Sequence, residues 1–255
     1  ITVYNKNHSV MTNGTGLDGF PSSTQASLIV PKPSSDSIYY IFTSRGAVIH
    51  FRYSTVNMNL SGGLGAVTIK NFSLNVGGSE KLAGITHCNN QDVWVVTQAP
   101  SANNIYYSYL INSVGVSSVP ITSTVSYAPT NDGYGYLKFS PNGNYLASAH
   151  LNVDSVSLFN FNKCTGQITD FVNFPADTAV YGLSFSPNSS KLYVANTQLG
   201  YIRSYLWQYD LTSGIPATIL SSKTLIKKLP DTTYFTALQI GADDKLYIGK
   251  FKGTV

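Results

Sequence analysis

The sequence is most informative in what it holds little of. Among 255 residues there is one Glu (Glu80), two Cys and two Met, and charged residues make up only 11%. Solvent-facing helices draw heavily on Glu and Lys, so this scarcity argues against long surface helices. Two cysteines cannot build the disulfide framework that staples small secreted domains. No apolar run approaches the ~20 residues that a membrane-spanning helix needs. The net charge of +4 comes from too few acids rather than from surplus bases. Its densest basic run, Ile226-Lys-Lys-Leu229, reads as a solvated strand end and not as a nucleic-acid groove. Neither a nucleic-acid partner nor membrane insertion is expected. No leader is expected either, because Ile1-Thr-Val-Tyr-Asn5 already reads as a strand, and the chain reads as beginning in mid-domain.

What is present is aromatic and hydroxyl-rich. Eighteen Tyr contribute to an aromatic content of 13%, and Ser, Thr and Asn fill the polar positions. That mixture suits many short strands joined by solvated turns. One pattern recurs: a strand, a tight polar turn, then a second strand carrying an aromatic. Its clearest copies are Gly135-Tyr-Leu-Lys-Phe-Ser-Pro-Asn-Gly-Asn-Tyr-Leu-Ala-Ser-Ala149 and Gly182-Leu-Ser-Phe-Ser-Pro-Asn-Ser-Ser-Lys-Leu-Tyr-Val-Ala195, with fainter ones at 27–41, 84–96 and 237–249. The turns begin at Pro33, Asn89, Pro141, Pro187 and Ala242, at steps of roughly 56, 52, 46 and 55 residues. A period near ~50 made only of strands is the mark of a β-propeller whose repeat is a four-stranded blade.

The fold expected is therefore all-β, a β-propeller of four-stranded antiparallel blades. Strands are labelled a to d from the axis outward. The first blade takes Gln25–Val30, Ser37–Thr43, Ala47–Tyr53 and Ala66–Asn75, and the second Leu82–Cys88, Asp92–Gln98, Asn104–Ile111 and Val116–Val125. The third takes Tyr134–Ser140, Asn144–His150, Ser155–Phe161 and Ile168–Phe174, and the fourth Val180–Ser186, Lys191–Thr197, Tyr201–Tyr209 and Ala217–Leu225. Alternating apolar positions in Val156–Phe161 and Ile202–Trp207 support strands packed on one face. Half-blades remain at both ends: Ile1–Asn5 with Ser9–Thr12, and Tyr234–Gly241 with Lys245–Lys250. They fit either a trimmed parent of about six or seven blades or a closed five-bladed ring. Residues 1–255 are read as a single propeller domain, a fragment of a larger protein. Cys88 falls in an inner hairpin and Cys164 in an outer hairpin of the next blade. A bridge between them is not expected, given the ~4.4–6.8 Å Cα separation a disulfide tolerates.

Catalytic chemistry is thinly represented. A propeller hydrolase needs several Asp, Glu, Asn or His side chains converging on the central opening. Asp36, Asp92, Asp243 and Asp244 sit instead at hairpin turns, where Asp is favoured for bonding its own backbone. No Gly-x-Ser-x-Gly elbow is present. Of four histidines, His8 and His50 read as structural, and His87 beside Cys88 lacks a second pair to complete a metal site. No metal and no cofactor is expected. Candidate ligand-binding residues lie where the d–a and b–c loops gather on one face: Gln25, Tyr134, Tyr136, Tyr181 and Tyr234 from the first, and Gln98, His150 and Asn196, with Arg45 and Lys250, from the second. Tyrosines with amides suit sugars or peptides, since each ring offers apolar area and a polar tip. The same tyrosines also suit packing between blades.

Phe139-Ser-Pro-Asn-Gly143, Phe185-Ser-Pro-Asn-Ser189 and Leu192-Tyr-Val-Ala-Asn196 resemble the YVTN-type and WD-repeat-like β-propellers. The segments 1–16, Ser22–Pro33, Asp92-Val-Trp-Val-Val-Thr97 and Lys163-Cys-Thr-Gly166 are similar to propeller regions of large secreted surface proteins of gliding and related Bacteroidota. The resemblance covers essentially the whole chain. It implies export by the type IX route within a multidomain adhesin-like protein, an extracellular or cell-surface location, and no shared catalytic residues. Asp36-Ser-Ile38, Asp154-Ser-Val156, Asp177-Thr-Ala179 and Asp231-Thr-Thr233 fit an O-glycosylation pattern of exported proteins in that phylum, with Ser37, Ser155, Thr178 and Thr232 as acceptors. The function expected is a non-catalytic binding or display module, engaging glycans, surface proteins or other domains of the same polypeptide. The alternatives are a propeller enzyme of lactonase or hydrolase type and a structural spacer.

Overall fold

The repeated turn has a physical basis that sets where each strand begins. In the computed structural model of the protein, the Ser140 hydroxyl donates to Asn142 Oδ1 at 2.7 Å and accepts the Tyr145 amide at 3.0 Å. Ser186 does the same with Asn188 and Lys191 at 2.8 and 2.9 Å. The closing residue has positive φ at four equivalent places: Asn90 (59°), Gly143 (74°), Ser189 (62°) and Asp244 (59°). Each donates its amide to the carbonyl three residues earlier, on His87, Ser140, Ser186 and Gly241 respectively. Gly, Asn and Asp reach this left-handed region at least cost, which is why the turns are rich in them. The turn aspartates act locally: Asp92 accepts from Asn89, and Asp243 accepts from Lys245 and Tyr247.

The structure describes residues 1–45, 51–74, 76–100, 104–127, 133–176, 178–196, 204–230 and 233–252. The expected strand starts at Ala47 and Tyr201, together with His50 and Thr232, lie outside them. The chain divides into two compact units, residues 1–123 with the turn 163–167, and residues 124–162 with 168–255.

The first unit carries two four-stranded antiparallel sheets. One runs β1 (Ser27–Pro31), β2 (Ile38–Ser44), β3 (Phe51–Asn57) and β4 (Ala66–Ser73). The other runs β5 (Leu82–Thr86), β6 (Val93–Gln98), β7 (Ile105–Ile111) and β8 (Ile121–Thr124). Because side chains alternate along a strand, β2 serves two cores. Tyr40 and Phe42 join Val95, Tyr109 and Ile111 between the sheets, while Ile41 joins Met11, Leu17, Val56 and Val67 on the opposite face. The N-terminal segment covers that second face. Its expected strand pair is reduced to one antiparallel bridge, Tyr4↔Val10, and Thr12 bridges Ala66 in parallel. The Val67 amide donates to the Thr12 carbonyl at 3.0 Å and Asn13 Nδ2 to that of Val67 at 2.9 Å, so the outer edge of β4 is occupied.

Cys88 and Cys164 form a disulfide with a Cα–Cα distance of 5.0 Å, which corrects the expectation that they stay apart. Both cysteines do lie in the hairpins expected of them, but the turn 163–167 folds in over Trp94. Trp94 Nε1 donates to the Lys163 carbonyl at 2.8 Å, and the Cys88 amide donates to the same oxygen at 3.2 Å. Gly166 lies against the indole, where a Cβ would come within 2.7 Å of the ring. His87 accepts the Asn89 amide on Nδ1 and donates from Nε2 to the Cys164 carbonyl, so it helps hold the turn rather than any metal.

The second unit carries two further four-stranded antiparallel sheets and one pair. The first comprises β9 (Leu137–Phe139), β10 (Tyr145–His150), β11 (Ser155–Phe161) and β12 (Ile168–Pro175). The next comprises β13 (Val180–Phe185), β14 (Lys191–Asn196), β15 (Tyr205–Asp210) and β16 (Thr224–Lys228). The pair is β17 (Thr233–Ile240) with β18 (Leu246–Lys252), the half-blade expected at this end. Alternation again splits the burial: Leu192 and Val194 face Leu158 and Phe174, while Ala195 faces Leu206, Phe235 and Leu238.

The strand expected over Ala217–Leu225 divides in two. Residues Pro216–Ser221 form a short helix, α1, and β16 follows three residues later. Pro in the first turn fixes a helical φ, and Ile219, fully buried, anchors the turn. Ser222 Oγ donates to the Ile219 carbonyl and accepts the Asp210 amide, which holds the helix end against β15.

Candidate functional site

Three inner strands lie side by side in the second unit, with β13 between β9 and β17. Their adjacency is fixed by backbone contacts at their starts. The Tyr136 amide donates to the Tyr181 carbonyl at 3.0 Å. Gly182 then permits β17 to approach, since any Cβ there would overlap the Thr236 carbonyl oxygen. The starts of these strands carry Tyr136, Tyr181 and Tyr234, and together with Leu151, Thr236, Ala237 and Phe251 they enclose a cavity of about 420 Å³. Among the described residues its lining is mostly aromatic, with Leu151 and Ala237 beside the rings; phenol and threonine hydroxyls are its polar side-chain groups, and no carboxylate or imidazole lines it. Tyr136 and Tyr181 meet edge to face, with centroids 5.5 Å apart and planes at 80°. Burial, with Tyr181 alongside, raises the Tyr136 phenol above its ordinary pKa.

The expected binding residues thus separate into two groups. Tyr136, Tyr181 and Tyr234 share the cavity, and Tyr134 is exposed beside it without lining it. Gln98, His150 and Asn196 end β6, β10 and β14, the same position in three successive blades, and all three are buried. Gln98 Nε2 donates to the Tyr106 hydroxyl at 3.3 Å, His150 Nε2 pairs with Ser157 Oγ at 2.8 Å, and Asn196 Nδ2 donates to Thr178 Oγ1 at 2.7 Å. Ser44, at the matching end of β2, donates to the Ser79 carbonyl. Polar residues recurring at this position bond protein groups in their own sheet or in the segment leading to an inner strand. Gln25 bonds the Ser27 carbonyl at 2.8 Å, Arg45 pairs with Asp18 at 3.7 Å, and Lys250 is exposed.

Of the glycosylation candidates, Ser37 is half-buried and accepts from Asn59 at 3.1 Å. Ser155 is buried, with its hydroxyl 3.0 Å from that of Tyr127, and Thr178 is held by Asn196. Among the described residues no group of three or more His, Cys, Asp or Glu converges.

Sequence reasoning missed Thr236 and Phe251 as cavity residues. Phe251 lies one residue past the expected end of its strand. The alternation of Tyr247, Gly249 and Phe251 against Leu246 and Ile248 was the signal that could have found it.

No known protein-family model matches the sequence, and no curated protein sequence does. Solved structures do resemble the fold. A 6-phosphogluconolactonase-type protein of Bacteroides fragilis superposes with a TM-score of 0.55 at 14% identity, over 90% of this chain and 64% of its own length. A protein from Lactobacillus plantarum gives 0.54 at 14% identity, over 96% of this chain and 69% of its own. The periplasmic gluconolactonase of Pseudomonas aeruginosa gives 0.51 at 16% identity, over 87% of this chain and 60% of its own. The chain therefore spans between 60% and 69% of the length of these three proteins. At identity this low the likeness shows a shared architecture alone, and with its four-stranded antiparallel sheets this chain is a β-propeller.

Proposed function

We propose that the chain is a sugar-recognising propeller module of an exported protein, with the aromatic cavity of the second unit as its binding site. The observation that carries this reading is the convergence of Tyr136, Tyr181, Tyr234 and Phe251 on one cavity of about 420 Å³. That volume falls in the ~300–1,000 Å³ range of small-molecule sites. Aromatic faces take the apolar C–H face of a pyranose while phenol and threonine hydroxyls bond its rim. Export is supported by the Cys88–Cys164 disulfide, because such bonds persist mainly in oxidising compartments. On this reading the module works at the cell surface or outside it, and its partners are glycans or surface proteins and other domains of the same polypeptide.

A second reading is a sugar lactonase, favoured by the likeness to the 6-phosphogluconolactonase-type and gluconolactonase propellers. Both readings place a sugar or its lactone in the same cavity and differ in turnover. Calorimetric titration with D-glucose and D-glucono-1,5-lactone, alongside measurement of acid release from the lactone, separates them. The module reading expects saturable binding, weakened about tenfold or more by Tyr181→Ala or Tyr234→Ala, and no acid release beyond the spontaneous rate. Release that saturates with lactone and falls in those variants favours the lactonase. Absence of binding by either sugar contradicts both.

A further inference from the structure

Next to Tyr136 lies a cation with no acidic partner among the described residues. Lys138, two residues along the chain from Tyr136, places Nζ 5.0 Å from the centre of the Tyr136 ring. The same Nζ donates to Gln239 Oε1 on β17 at 2.8 Å, reaching past β13. No carboxylate pairs with it among the described residues. Burial lowers the ammonium's pKa, as expected for a charge that water solvates poorly. An amide oxygen is a neutral acceptor, and a partly desolvated ammonium is better satisfied by an anion. The side chain is therefore held beside the wall of the cavity, its charge met among the described residues only by the Tyr136 ring and a neutral amide oxygen.

We propose that Lys138 is the charge-recognition residue of the aromatic cavity, and that the preferred ligand is an anionic sugar whose acidic group displaces Gln239 from Nζ. Tyr136, Tyr181 and Tyr234 hold the ring, and Lys138 reads the substituent that extends from it. The acidic group is a carboxylate or a phosphate, the two oxyanions that an ammonium binds by charge-assisted hydrogen bonds. This assignment rests on the sugar-binding reading of the cavity and adds to it the sign of the ligand's charge.

Titration of the wild-type chain, Lys138→Gln, Lys138→Arg and Gln239→Ala with D-glucuronate, D-glucose 6-phosphate and D-glucose tests it. The wild type should bind at least one of the two anions about tenfold or more tighter than glucose, the size of one charge-assisted hydrogen bond. Which anion is favoured identifies the carboxylate or the phosphate. Lys138→Gln should bring the ratio of affinities close to one, and Lys138→Arg should keep the preference. Gln239→Ala removes the competing acceptor and should widen the preference. This last arm needs no change at Lys138, so it stands even if Lys138→Gln misfolds. Equal binding of all three sugars by the wild type overturns the assignment and leaves the cavity reading intact. So does a preference that survives Lys138→Gln in a folded protein, or one that narrows in Gln239→Ala. No binding of any sugar overturns both.

Discussion

Gly182 of β13 sits so close to Thr236 of β17 that a Cβ at position 182 would overlap the Thr236 carbonyl oxygen. The contact is backbone against side-chain position, so no rotamer change relieves it. It is also what allows Tyr181 and Thr236 to face the same cavity. Gly182→Ala is therefore expected to push the two strands apart. The cost should be about 1–3 kcal/mol, the usual penalty of overpacking, with a loss of sugar affinity alongside. Urea denaturation and calorimetric titration of the same preparation check both; a variant as stable as wild type contradicts this packing.

Asn196 makes the opposite case. Its Nδ2 donates to both the hydroxyl and the carbonyl of Thr178, at 2.7 and 3.4 Å, and the Asn196 carbonyl accepts from Ser204 Oγ at 2.6 Å. Asn196→Ala should cost about 1–3 kcal/mol, the range for stranding buried polar groups. Its effect on sugar binding should be negligible. A variant of full stability that fails to bind would return this residue to the ligand site.

The Cys88–Cys164 bond closes a loop across a sequence separation of 76 residues. Cys164→Ser is expected to destabilise the protein by about 2–5 kcal/mol, as for native disulfides in general. Chemical denaturation with and without reductant checks this: reductant should lower wild-type stability and leave the variant unchanged. Thiol titration of the unreduced, denatured wild type should find no free thiol.

Asp210 offers a test in pH. The Lys191 ammonium bonded to it, helped by the hydroxyl and amide of Thr212, holds its carboxyl well below the usual carboxylate range. A group whose pKa is lowered by folding stabilises the native state above its unfolded value and loses that contribution as pH falls through the folded one. The stability gap between wild type and Asp210→Asn should thus be constant above pH about 3.9, the ordinary Asp value, and should shrink below it. Denaturation series across acid pH read this directly; a gap that does not change with pH contradicts it.

Much of the fold was legible because its signals are local. Ser-Pro-Asn fixes the turn, and strand alternation fixes which face is buried, so β10, β11 and β14 begin within about one residue of where the pattern puts them. What was not legible depends on contacts distant in sequence. The inward fold of the 163–167 turn follows from the Trp94 indole meeting the Lys163 carbonyl, 69 residues away. The helix at Pro216 replaces a strand because Ile219 finds a buried seat and Ser222 ties back to Asp210. For the site, the tyrosines at the starts of inner strands were visible as a repeated position. Gln98, His150 and Asn196 were equally visible as a repeat, but periodicity cannot tell a polar residue that faces a ligand from one that ties its own sheet. Lys138 escaped notice because its meaning lies in Gln239, a partner on another sheet.

The proposed sugar site lies between Tyr136, Tyr181, Tyr234 and Phe251. A crystal of the chain soaked in D-glucuronate tests it most directly. Density for one pyranose is expected between these rings, its acidic group within hydrogen-bonding distance of Lys138 Nζ. Density for the sugar only elsewhere on the molecule, with the cavity holding water alone, would contradict it.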